Sequence, residues 1–411
     1  MNDPLAWLFG LEQFGIKFGL DNISAIVARL GHPERAFRSV HIAGTNGKGS
    51  VTAMVDAALR AAGHRSARYT SPHLMDLAER FVIDGRPVAQ DALTAAVADV
   101  RAAIEDLRAT GGLDVHPTFF EVTTAVALEL FRRAAVEVAV LEVGLGGRLD
   151  ATNVVSPPQL AATAITSIAL EHQRYLGTTL REIAIEKAGI IKHGVPLVVG
   201  PLEPEAFAAI GEIAASRGAE VIRADPRDCD GMAIGLAGAH QRANAAVAVR
   251  LLQHLDARGI PVDARAIASG LAHPHWPGRL DTRRLPDGRE LLLDAAHNPA
   301  GAEARASYLL SGAGGRRPLV FAAMRDKDVT GMLSALLPAV SRLIVTRASN
   351  ARAADPDRLA EQARAVAPAF SITVEPALGD ALDAAWRTSP RIVVAGSIFL
   401  LGDVMKRLGG S

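Results

Sequence analysis

The sequence predicts an α/β fold, in which a parallel-rich sheet covered by helices is followed by a smaller Rossmann-like domain. Two observations support this prediction. Short runs rich in β-branched residues alternate with longer helical patterns along the whole chain. Several of these runs, such as "VEVAVLEVG" at 136–144, are apolar on both faces, as are strands buried inside a parallel sheet.

The predicted elements follow one another in the strand–helix order of a parallel sheet. The strands of the first domain are expected at 38–44, 64–71, 136–144, 160–168 and 195–200, and its clearest helices at 50–62, 120–134 and 178–189. A second series of strands is expected at 290–298, 317–324, 342–348, 370–376 and 391–397. The Pro- and His-rich stretch "LAHPHWPGR" between the two series predicts a boundary near Gly278, which gives domains 1–278 and 279–411.

Size and composition indicate a globular protein of two domains. The chain has 411 residues, of which 49% are hydrophobic. Lysine plus arginine equals aspartate plus glutamate at 44 each, which argues against a surface for nucleic acid or anionic membranes. The one cysteine, Cys229, excludes an internal disulfide and a zinc site built from cysteines. Because we find no secretory signal and no long apolar stretch, we expect a cytoplasmic protein, and we expect it to be a monomer.

The segment "AGTNGKGS" at 43–50 is typical of a phosphate-binding loop between a strand and a helix. Exposed backbone N–H groups and the positive end of the helix attract phosphate, and the glycines allow a close approach. Lys48 would add a charge at the β- and γ-phosphates, and Ser50 a hydroxyl near phosphate or metal. The spacing departs from G-x-x-x-x-G-K-[ST], so the loop alone does not identify the class of enzyme. A plain glycine-rich turn is the other interpretation, and the context disfavours it.

Polar residues also follow other predicted strands, at the place where ligands of α/β proteins usually bind. Glu142 ends an apolar strand, and a carboxylate there suits Mg²⁺, because burial without a partner is costly. Ser71 follows another strand, although a capping serine explains it equally well. His172 and Lys187 indicate little by themselves, because a lone histidine is more often structural and a helical lysine commonly pairs with a carboxylate.

Motifs along essentially the whole chain resemble those of the Mur ligase superfamily, and in particular its branch of folylpolyglutamate synthases and dihydrofolate synthases. Besides the loop, these motifs are "TSPHL" (70–74), "FFE" (119–121), "LEVGLGGRLDATN" (141–153), "LEHQRYLGTTLREIAIEKAGI" (170–190), "GAHQRANA" (238–245), "PGR" (277–279), "DAAHNP" (294–299), "DKD" (326–328) and "VAGSIFLLGDV" (394–404). The resemblance implies a Mur-ligase-like P-loop central domain and an ATP-dependent amide ligase. Such a ligase adds glutamate to a folate-type carboxylate through an acyl phosphate and releases ADP and phosphate.

The resemblance also implies which residues bind ATP. The loop would contribute Thr45, Asn46, Gly47, Lys48, Gly49 and Ser50. Outside the loop, Asn244 would meet adenine, Asp294 the ribose and Arg279 the phosphates.

Two Mg²⁺ ions are implied in addition, and a monovalent cation is left open. Ser71 and Glu142 would bind the first Mg²⁺, whereas His172 and Lys187 would bind or support the second. The family carries a CO₂-derived carbamate on this lysine, which turns a cation into an anionic ligand. Glu171 precedes the histidine where the family has Asp. The expected catalytic residues are Lys48, Lys187, His172 and His297.

The implied substrates are dihydropteroate, folates and L-glutamate. "HPTFFE" and "GRLDATN" resemble the segments that form the pterin pocket of bifunctional enzymes. Thr118 and Asp150 would hydrogen-bond the pterin and Phe120 would pack on its ring, although plain core packing is the alternative for Phe120. His297 and Ser397 would help to place the incoming glutamate and the γ-phosphate.

The substrate class leaves three enzymatic alternatives. Only 43 residues precede Gly44, which are too few for the UDP-sugar domain of cell-wall Mur enzymes and favour a folate substrate. The chain would then be a bifunctional enzyme for dihydropteroate and folates, or a monofunctional folylpolyglutamate synthase. A Mur-type ligase for another small acid is the third alternative. A nucleotide-gated binding protein without catalysis is disfavoured by the combination of Glu142, His172 and Lys187.

Overall fold

The computed structural model describes residues 3–15, 17–312 and 315–409. The chain divides into two compact units. The first comprises Met1–Pro72, Leu77–Gly235 and Arg242–His275, and the second His73–Asp76, Leu236–Gln241 and Trp276–Ser411. The main segment of the second unit thus begins at Trp276, whereas the sequence placed the boundary after Gly278. Across the residues that are described, every helix is too short or too polar to cross a membrane.

The first unit is built on an eight-stranded sheet. Its strands are β1 (Arg38–Ala43), β2 (Ser66–Tyr69), β3 (Phe81–Ile83), β4 (Arg86–Pro87), β5 (Val138–Glu142), β6 (Leu160–Ile165), β7 (Leu197–Val199) and β8 (Val221–Arg223). Their order across the sheet is β4-β3-β2-β5-β1-β6-β7-β8. The neighbouring pairs from β2 to β8 are parallel, and β3 and β4 add an antiparallel edge. The parallel-rich sheet predicted from the sequence is confirmed.

Helices cover both faces of this sheet. They are α1 (Pro4–Gly10), α2 (Asp21–Arg29), α3 (Lys48–Ala61), α4 (Gln90–Ala109), α5 (Phe119–Arg133), α6 (Gln173–Leu176), α7 (Leu180–Ala188), α8 (Pro204–Ser216), α9 (His240–Asp256) and α10 (Ala264–Ala272). α4 and α5 share a buried apolar cluster with β2 and β5, whereas α7 and α8 share another with β7. β1, between β5 and β6, is consequently buried at five of its six residues.

Local sequence signals fix where α7 starts. The side chain of Thr179 accepts a hydrogen bond from the backbone N–H of Glu182, and the Glu182 carboxylate accepts one from the backbone N–H of Thr179. This reciprocal cap satisfies N–H groups that the first turn of a helix leaves without partners. The start of α7 sets the face on which its later residue Lys187 lies.

The second unit contains a six-stranded sheet. Its strands are β9 (Asp281–Arg284), β10 (Glu290–Asp294), β11 (Leu319–Phe321), β12 (Leu343–Val345), β13 (Ile372–Val374) and β14 (Arg391–Ala395), in the order β13-β12-β11-β14-β10-β9. All of these pairs are parallel except β9 with β10. Its helices are α11 (Pro299–Ser311), α12 (Val329–Leu336), α13 (Pro356–Val366), α14 (Leu378–Trp386) and α15 (Ile398–Arg407). α12 and α13 pack in one apolar cluster and α14 and α15 in another, as in the predicted Rossmann-like domain.

The strands that the sequence did not predict are β3, β4, β8 and β9, at or near the edges of the sheets. β4 has two residues, and the four residues of β9, "DTRR", carry three charges and alternate between intermediate and exposed positions. A short or charged strand lacks the apolar run by which a buried strand is predicted. The expectation of parallel strands was therefore incomplete at the sheet edges.

We predict that Gly270→Ala destabilises the first unit, because α10 packs closely on α3 at this residue. An added Cβ atom would lie 2.5 Å from the backbone nitrogen of Ala58, closer than packed atoms allow. Overpacking of this kind typically costs about 1–3 kcal/mol. Thermal denaturation of the variant is expected to show a lower Tm.

Gly211→Ala is the matched control for this prediction. Gly211 lies in α8, and nothing lies within 4 Å of its added Cβ atom. Alanine is favoured over glycine inside a helix by about 0.5–1 kcal/mol, so this variant should melt at the same temperature or higher. Equal Tm values for the two variants would contradict the packing argument.

Candidate active site

The turn from β1 into α3 requires glycine at two positions. Gly44 has a φ of 145° and Gly47 a φ of 87°, both in the region that side chains disfavour. A Cβ atom on Gly44 would lie 2.0 Å from Oγ1 of Thr166, and one on Gly47 would lie 2.2 Å from Oδ1 of Asn244. Both the backbone angles and the close approach of these neighbours therefore depend on glycine.

The loop is fastened to the segment that follows β6. The backbone N–H of Thr45 donates to the carbonyl of Ser167 at 2.7 Å, and that of Asn46 donates to the Ser167 hydroxyl at 3.0 Å. The Thr166 hydroxyl donates to the carbonyl of Asn46 at 2.6 Å, and the Thr45 hydroxyl donates to the carbonyl of Ala169 at 3.2 Å. The loop is thus held in shape by its own protein contacts, as a preorganised binding site requires.

Two lysines meet at one carbonyl of this loop. The Lys48 ammonium donates to the carbonyls of Gly44 and Thr45 at 3.0 and 3.2 Å. The Lys187 amine, from α7, donates to the same carbonyl of Gly44 at 2.9 Å. The structure therefore brings both predicted lysines to the nucleotide loop.

Lys187 is buried, with 5% of its surface exposed. Burial, and next the positive charge of Lys48, lowers its pKa to about 7, whereas Glu171 and Asp150 act in the opposite direction. The amine is consequently charged below about pH 7 and mostly neutral above it. A neutral lysine amine is a nucleophile, which an ordinary lysine at this pH is not.

Glu142 and Ser71 lie together at the carboxyl end of β5. Glu142 is the last residue of that strand and is 5% exposed. The backbone N–H of Ser71, which follows β2, donates to its Oε2 atom at 3.3 Å. β2 and β5 are parallel neighbours, and this pairing explains why two residues far apart in sequence meet.

His172 precedes α6 in a backbone conformation that is uncommon for its type. Its φ of 52° lies in the left-handed region, which is uncommon for residues other than glycine and costs roughly 1–3 kcal/mol. Its Nε2 atom is 3.9 Å from the carboxylate of Glu171, and its side chain is 30% exposed. The histidine is therefore held beside a carboxylate while part of the ring still faces solvent.

The residues present suit Mg²⁺ bound together with a nucleotide. Within residues 3–15, 17–312 and 315–409, no group of three or more His, Cys, Asp or Glu side chains is arranged to hold a metal ion. Mg²⁺ does not need such a group, because it commonly binds one or two carboxylates along with water and substrate phosphates. The buried carboxylate of Glu142, close to Ser71 and at the same sheet edge as the loop, meets that requirement.

Phe120 lies in the first turn of α5, next to the carboxyl end of β5. Its ring centroid is 6.0 Å from that of Tyr69. A Cβ atom on Gly144 would lie 2.5 Å from its Cζ atom, so the ring packs directly on the backbone that follows β5. Thr118 caps the same helix: its hydroxyl accepts from the N–H of Glu121 at 3.2 Å and donates to the Glu121 carboxylate at 2.9 Å.

Asp150 accepts four hydrogen bonds from the protein. Its Oδ2 atom accepts from the N–H groups of Gly144 and Leu145 at 3.0 and 2.9 Å. Its Oδ1 atom accepts from the N–H of Thr152 at 3.0 Å and from the Thr152 hydroxyl. Burial raises the pKa of Asp150, and these bonds oppose the rise. Because four bonds fill the usual acceptor positions of a carboxylate, a substrate donor would have to share or replace one of them.

Asp294 ends β10 in the second unit and is equally well held. It accepts from the N–H groups of Leu280 and Ala296 at 2.8 and 2.9 Å and forms an ion pair with Arg305 of α11. Burial alone would raise the pKa of Asp294, but the charges of Arg305 and Arg279 keep it below its ordinary value. The carboxylate is therefore ionised at neutral pH.

His297 and Ser397 follow two paired strands of the second sheet. Asp294 of β10 is in register with Ala395 of β14, so the residues after both strands lie at one edge. The Nδ1 atom of His297 donates to the carbonyl of Ala295 at 2.9 Å. The Ser397 hydroxyl accepts a backbone N–H at 3.2 Å and caps α15.

Some residues at these sites were missed by sequence reasoning. Thr166 and Ser167 shape the loop, and their place near the carboxyl end of the strand predicted at 160–168 was a usable signal. Arg305 is 1% exposed and holds Asp294. An arginine within a helix is usually at the surface, so the sequence offers no signal for this role.

Comparison with known proteins finds relatives over the whole chain. Residues 278–398 match the family of the Mur ligase, glutamate ligase domain. A dihydrofolate synthase/folylpolyglutamate synthase of Bacillus subtilis is 32% identical over 431 residues, which cover 99% of this chain and 98% of that protein. A probable bifunctional folylpolyglutamate synthase/dihydropteroate synthase of Haloferax volcanii is 36% identical over 98% of this chain. The chain spans about half (50%) of the length of this second relative.

Solved structures of similar proteins cover the chain as completely. The folylpolyglutamate synthase of Mycobacterium tuberculosis complexed with ADP and AMPPCP has a TM-score of 0.88 at 33% identity, over 99% of both chains. Escherichia coli FolC in complex with DHPP and ADP has a TM-score of 0.86 at 31% identity, over 99% of this chain and 98% of that one. A bifunctional folylpolyglutamate synthase/dihydrofolate synthase with Mn, AMPPNP and L-glutamate bound gives the same values. The fold class predicted from the sequence is confirmed.

We predict that Gly47→Ala weakens ATP binding by about tenfold or more, equivalent to about 1.4 kcal/mol. The added methyl would press on the Asn244 side chain and distort the loop. Isothermal titration calorimetry with ATP measures this loss.

Gly63→Ala is the control, because Gly63 has nearly the same φ, 88°, and nothing within 4 Å of an added Cβ atom. It introduces the backbone strain alone, away from the loop. Its Kd for ATP should equal that of the unmodified protein. Equal Kd values for the two variants would show that the contact between Gly47 and Asn244 does not matter for binding.

Proposed function

The chain belongs to the family of dihydrofolate synthases/folylpolyglutamate synthases, and from this membership we propose that it joins L-glutamate both to dihydropteroate and to folates. It is an ATP-dependent ligase of folate metabolism. The observation that carries the proposal is the preorganised loop between β1 and α3, with two lysines at the Gly44 carbonyl and Glu142 on the neighbouring strand.

The reaction must activate a carboxylate that is unreactive towards amines in water. The carboxylate oxygen attacks the γ-phosphorus of ATP, the bond to the bridging oxygen breaks, and ADP leaves. The amine of glutamate then attacks the acyl carbon of the resulting acyl phosphate, loses a proton and expels phosphate. The protein therefore needs to hold dense negative charge, align three reactants and exclude water.

The nucleotide loop supplies most of these needs in the first unit. The backbone N–H groups at the start of α3 are proposed to bind the phosphates. Lys48 is proposed to add a positive charge there, which is supported by the position of its ammonium at the loop, where it donates to two carbonyls. Asn244 is proposed at adenine, which its contact with Gly47 supports. In the second unit, Asp294 is proposed at the ribose and Arg279 at the phosphates; the ionised state of Asp294 suits it to accept hydroxyl donors.

Two Mg²⁺ ions are proposed to accompany ATP. Ser71 and Glu142 would hold the first, and His172 and Lys187 the second; the buried Glu142 carboxylate and the strained backbone of His172 support these assignments. The metal would neutralise charge on the phosphates and polarise the phosphoryl group that is transferred. The chain's own part is to orient the carboxylate, the hydroxyl and the imidazole around the nucleotide.

Lys187 is proposed to carry a carbamate. A carbamate forms when a neutral amine attacks CO₂ and loses a proton, and the pKa of about 7 makes the neutral amine abundant. An unmodified ammonium would repel Mg²⁺ and cannot bind it. The modification would place a negative charge beside the Lys48 ammonium, where the amine form of Lys187 is mostly neutral above about pH 7.

The folate pocket is proposed at the carboxyl end of β5, around the backbone of Gly144 and Leu145. Phe120 would pack on the pterin, with Thr118 and Asp150 as hydrogen-bond partners. The packing of Phe120 on Gly144, next to Asp150, supports a common pocket. In the second unit, His297 and Ser397 are proposed to place glutamate and the γ-phosphate.

A folylpolyglutamate synthase without the first activity is the alternative, and it differs only in whether dihydropteroate is a substrate. Both dihydropteroate and folates carry a pterin, so a pocket around Asp150 serves either alternative, and an assay with dihydropteroate separates the two. We further propose that the enzyme works in the cytoplasm, which the single buried free cysteine supports, and that it is a monomer.

We predict that the enzyme converts ATP to ADP and phosphate in step with amide formation. The reason is that Lys48 and the loop address the terminal phosphates. The measurement is chromatography of nucleotides after incubation with glutamate and dihydropteroate, or with glutamate and tetrahydrofolate. AMP and pyrophosphate formed in step with product would overturn the acyl-phosphate route, and activity with tetrahydrofolate alone would support the monofunctional alternative.

We predict that Lys187→Ala abolishes most of the activity, and that added acetate restores part of it by filling the vacated anionic position. Alanine suits a helix, so α7 should remain folded. ¹³C NMR of the unmodified enzyme with ¹³C-bicarbonate should show a carbamate signal that the variant lacks. The signal should grow as the pH rises through about 7, because the neutral amine is the reacting form.

Lys192→Ala is the control. Lys192 is also largely buried, its pKa is lowered to about 8 by burial and Arg217, and its amine donates to the carbonyl of Asn153 at 3.2 Å. It is outside the proposed site, so the variant should keep the carbamate signal and most activity. Full activity of Lys187→Ala, together with no carbamate signal in the unmodified enzyme, would exclude the proposal.

A further inference from the structure

A buried histidine in β1 takes no part in the chemistry above. His41 is fully buried, between Leu141 of β5 and Thr163 of β6 in the sheet register. An imidazole in such a place is costly unless its nitrogens find partners. Burial, and next the charge of Lys192, lowers the pKa of His41 to about 3, so the ring is neutral and carries one N–H.

The surroundings of His41 decide which nitrogen carries this proton. The Nε2 atom lies 2.8 Å from Oγ1 of Thr152, whereas Nδ1 has no hydrogen-bond partner among the described residues. A buried N–H without an acceptor is rarer in proteins than an acceptor without a donor. The proton therefore belongs on Nε2, from which it is donated to the Thr152 oxygen.

This donation sets the direction of the next hydrogen bond. Thr152 has a single hydroxyl proton, and with its oxygen accepting from His41 the proton points to Oδ1 of Asp150. The other oxygen of Asp150 accepts from the N–H groups of Gly144 and Leu145. A continuous chain of hydrogen bonds, here called the relay, thus runs from His41 of β1, through Thr152 and Asp150, to the backbone at 144–145.

We infer that His41 is a positioning residue, which directs the Thr152 hydroxyl towards Asp150 and so fixes this carboxylate and the 144–145 backbone at the folate pocket. The part of this inference that concerns the pterin rests on the proposed function. His41 lies only three residues before Gly44, so the strand that leads into the nucleotide loop also orders the substrate side of β5.

Two variants separate this role from a merely structural one. His41→Leu removes the donor, and His41→Gln keeps an N–H group that can reach Thr152. With His41→Leu, we expect the KM for dihydropteroate to rise by roughly tenfold to a hundredfold, the cost of a buried group that loses its partner. The KM for ATP should be unchanged, and His41→Gln should stay near the unmodified enzyme in both constants.

Thermal stability is measured on the same variants. His41→Leu leaves the buried Thr152 oxygen without its donor, so a modest fall in Tm is expected, and the role of His41 is decided by the two KM values. A purely structural role would lower the Tm without raising the KM for dihydropteroate relative to the KM for ATP. A normal KM for dihydropteroate in His41→Leu, or equal impairment of the Leu and Gln variants, would overturn the inference.

Hydrogen exchange tests the relay without any turnover. The amide of Leu145, which donates to Asp150, should exchange faster in His41→Leu than in His41→Gln. The amide of Val143, which donates to the carbonyl of Ile42 at 2.9 Å, is the internal control and should not change. Equal exchange at Leu145 in the two variants would refute the relay. Faster exchange in an enzyme that does not accept dihydropteroate would uphold the relay and refute only the pterin assignment.

Discussion

Parallel pairing brings the carboxyl ends of β5, β1 and β6 to one edge of the first sheet, and the rest of the site depends on it. Ile42 is in register with Glu142, and Ala43 is in register with Ile165. The glycine loop, the Glu142 carboxylate and the polar pair after β6 consequently lie side by side. A shift of the register by one residue would turn Glu142 to the opposite face of the sheet. The burial of β1 on both faces makes such a shift costly, so packing of the core fixes the position of the Glu142 carboxylate.

The same edge concentrates positive charge. Lys48 and Lys187 donate to one carbonyl, and the charge of the first is among the causes that lower the pKa of the second. Two ammonium groups at one carbonyl repel each other, so the arrangement favours loss of a proton or arrival of an anion. The unfolded chain keeps a proton on this lysine up to its ordinary pKa of 10.5, whereas the folded protein releases it near 7. The lysine's contribution to stability therefore rises with pH across that window, and protonation below it leaves the full penalty in place.

The features that could be predicted from the sequence are those with a local sequence pattern. The strand, the glycine turn and the helix around Lys48 are contiguous, and Glu142 ends an apolar run, so both could be placed without knowledge of the fold. The strand order could not, because pairing joins segments that are far apart in sequence. The hydrogen-bond partners of Asp150 could not be predicted either, because its bonds to the N–H groups of Gly144 and Leu145 depend on how the loop folds back. The burial of Arg305 likewise follows from its pairing with Asp294, which composition and periodicity do not reveal.

The bonding of Asp150 limits how it can recognise a ligand. If Asp150 binds the pterin as we propose, a pterin N–H would enter most readily at Oδ1, where the Thr152 hydroxyl is the only one of the four donors that can rotate away. Rotation would turn this hydroxyl towards Nε2 of His41, which would then have to carry its proton on Nδ1 instead. That nitrogen has no acceptor among the described residues, and a buried N–H without a partner costs about 1–3 kcal/mol. His41 of β1 therefore opposes any rotation of the Thr152 hydroxyl away from Asp150. Recognition that shares Oδ1 with the Thr152 hydroxyl avoids this cost, and it keeps the 144–145 backbone fixed while substrate binds.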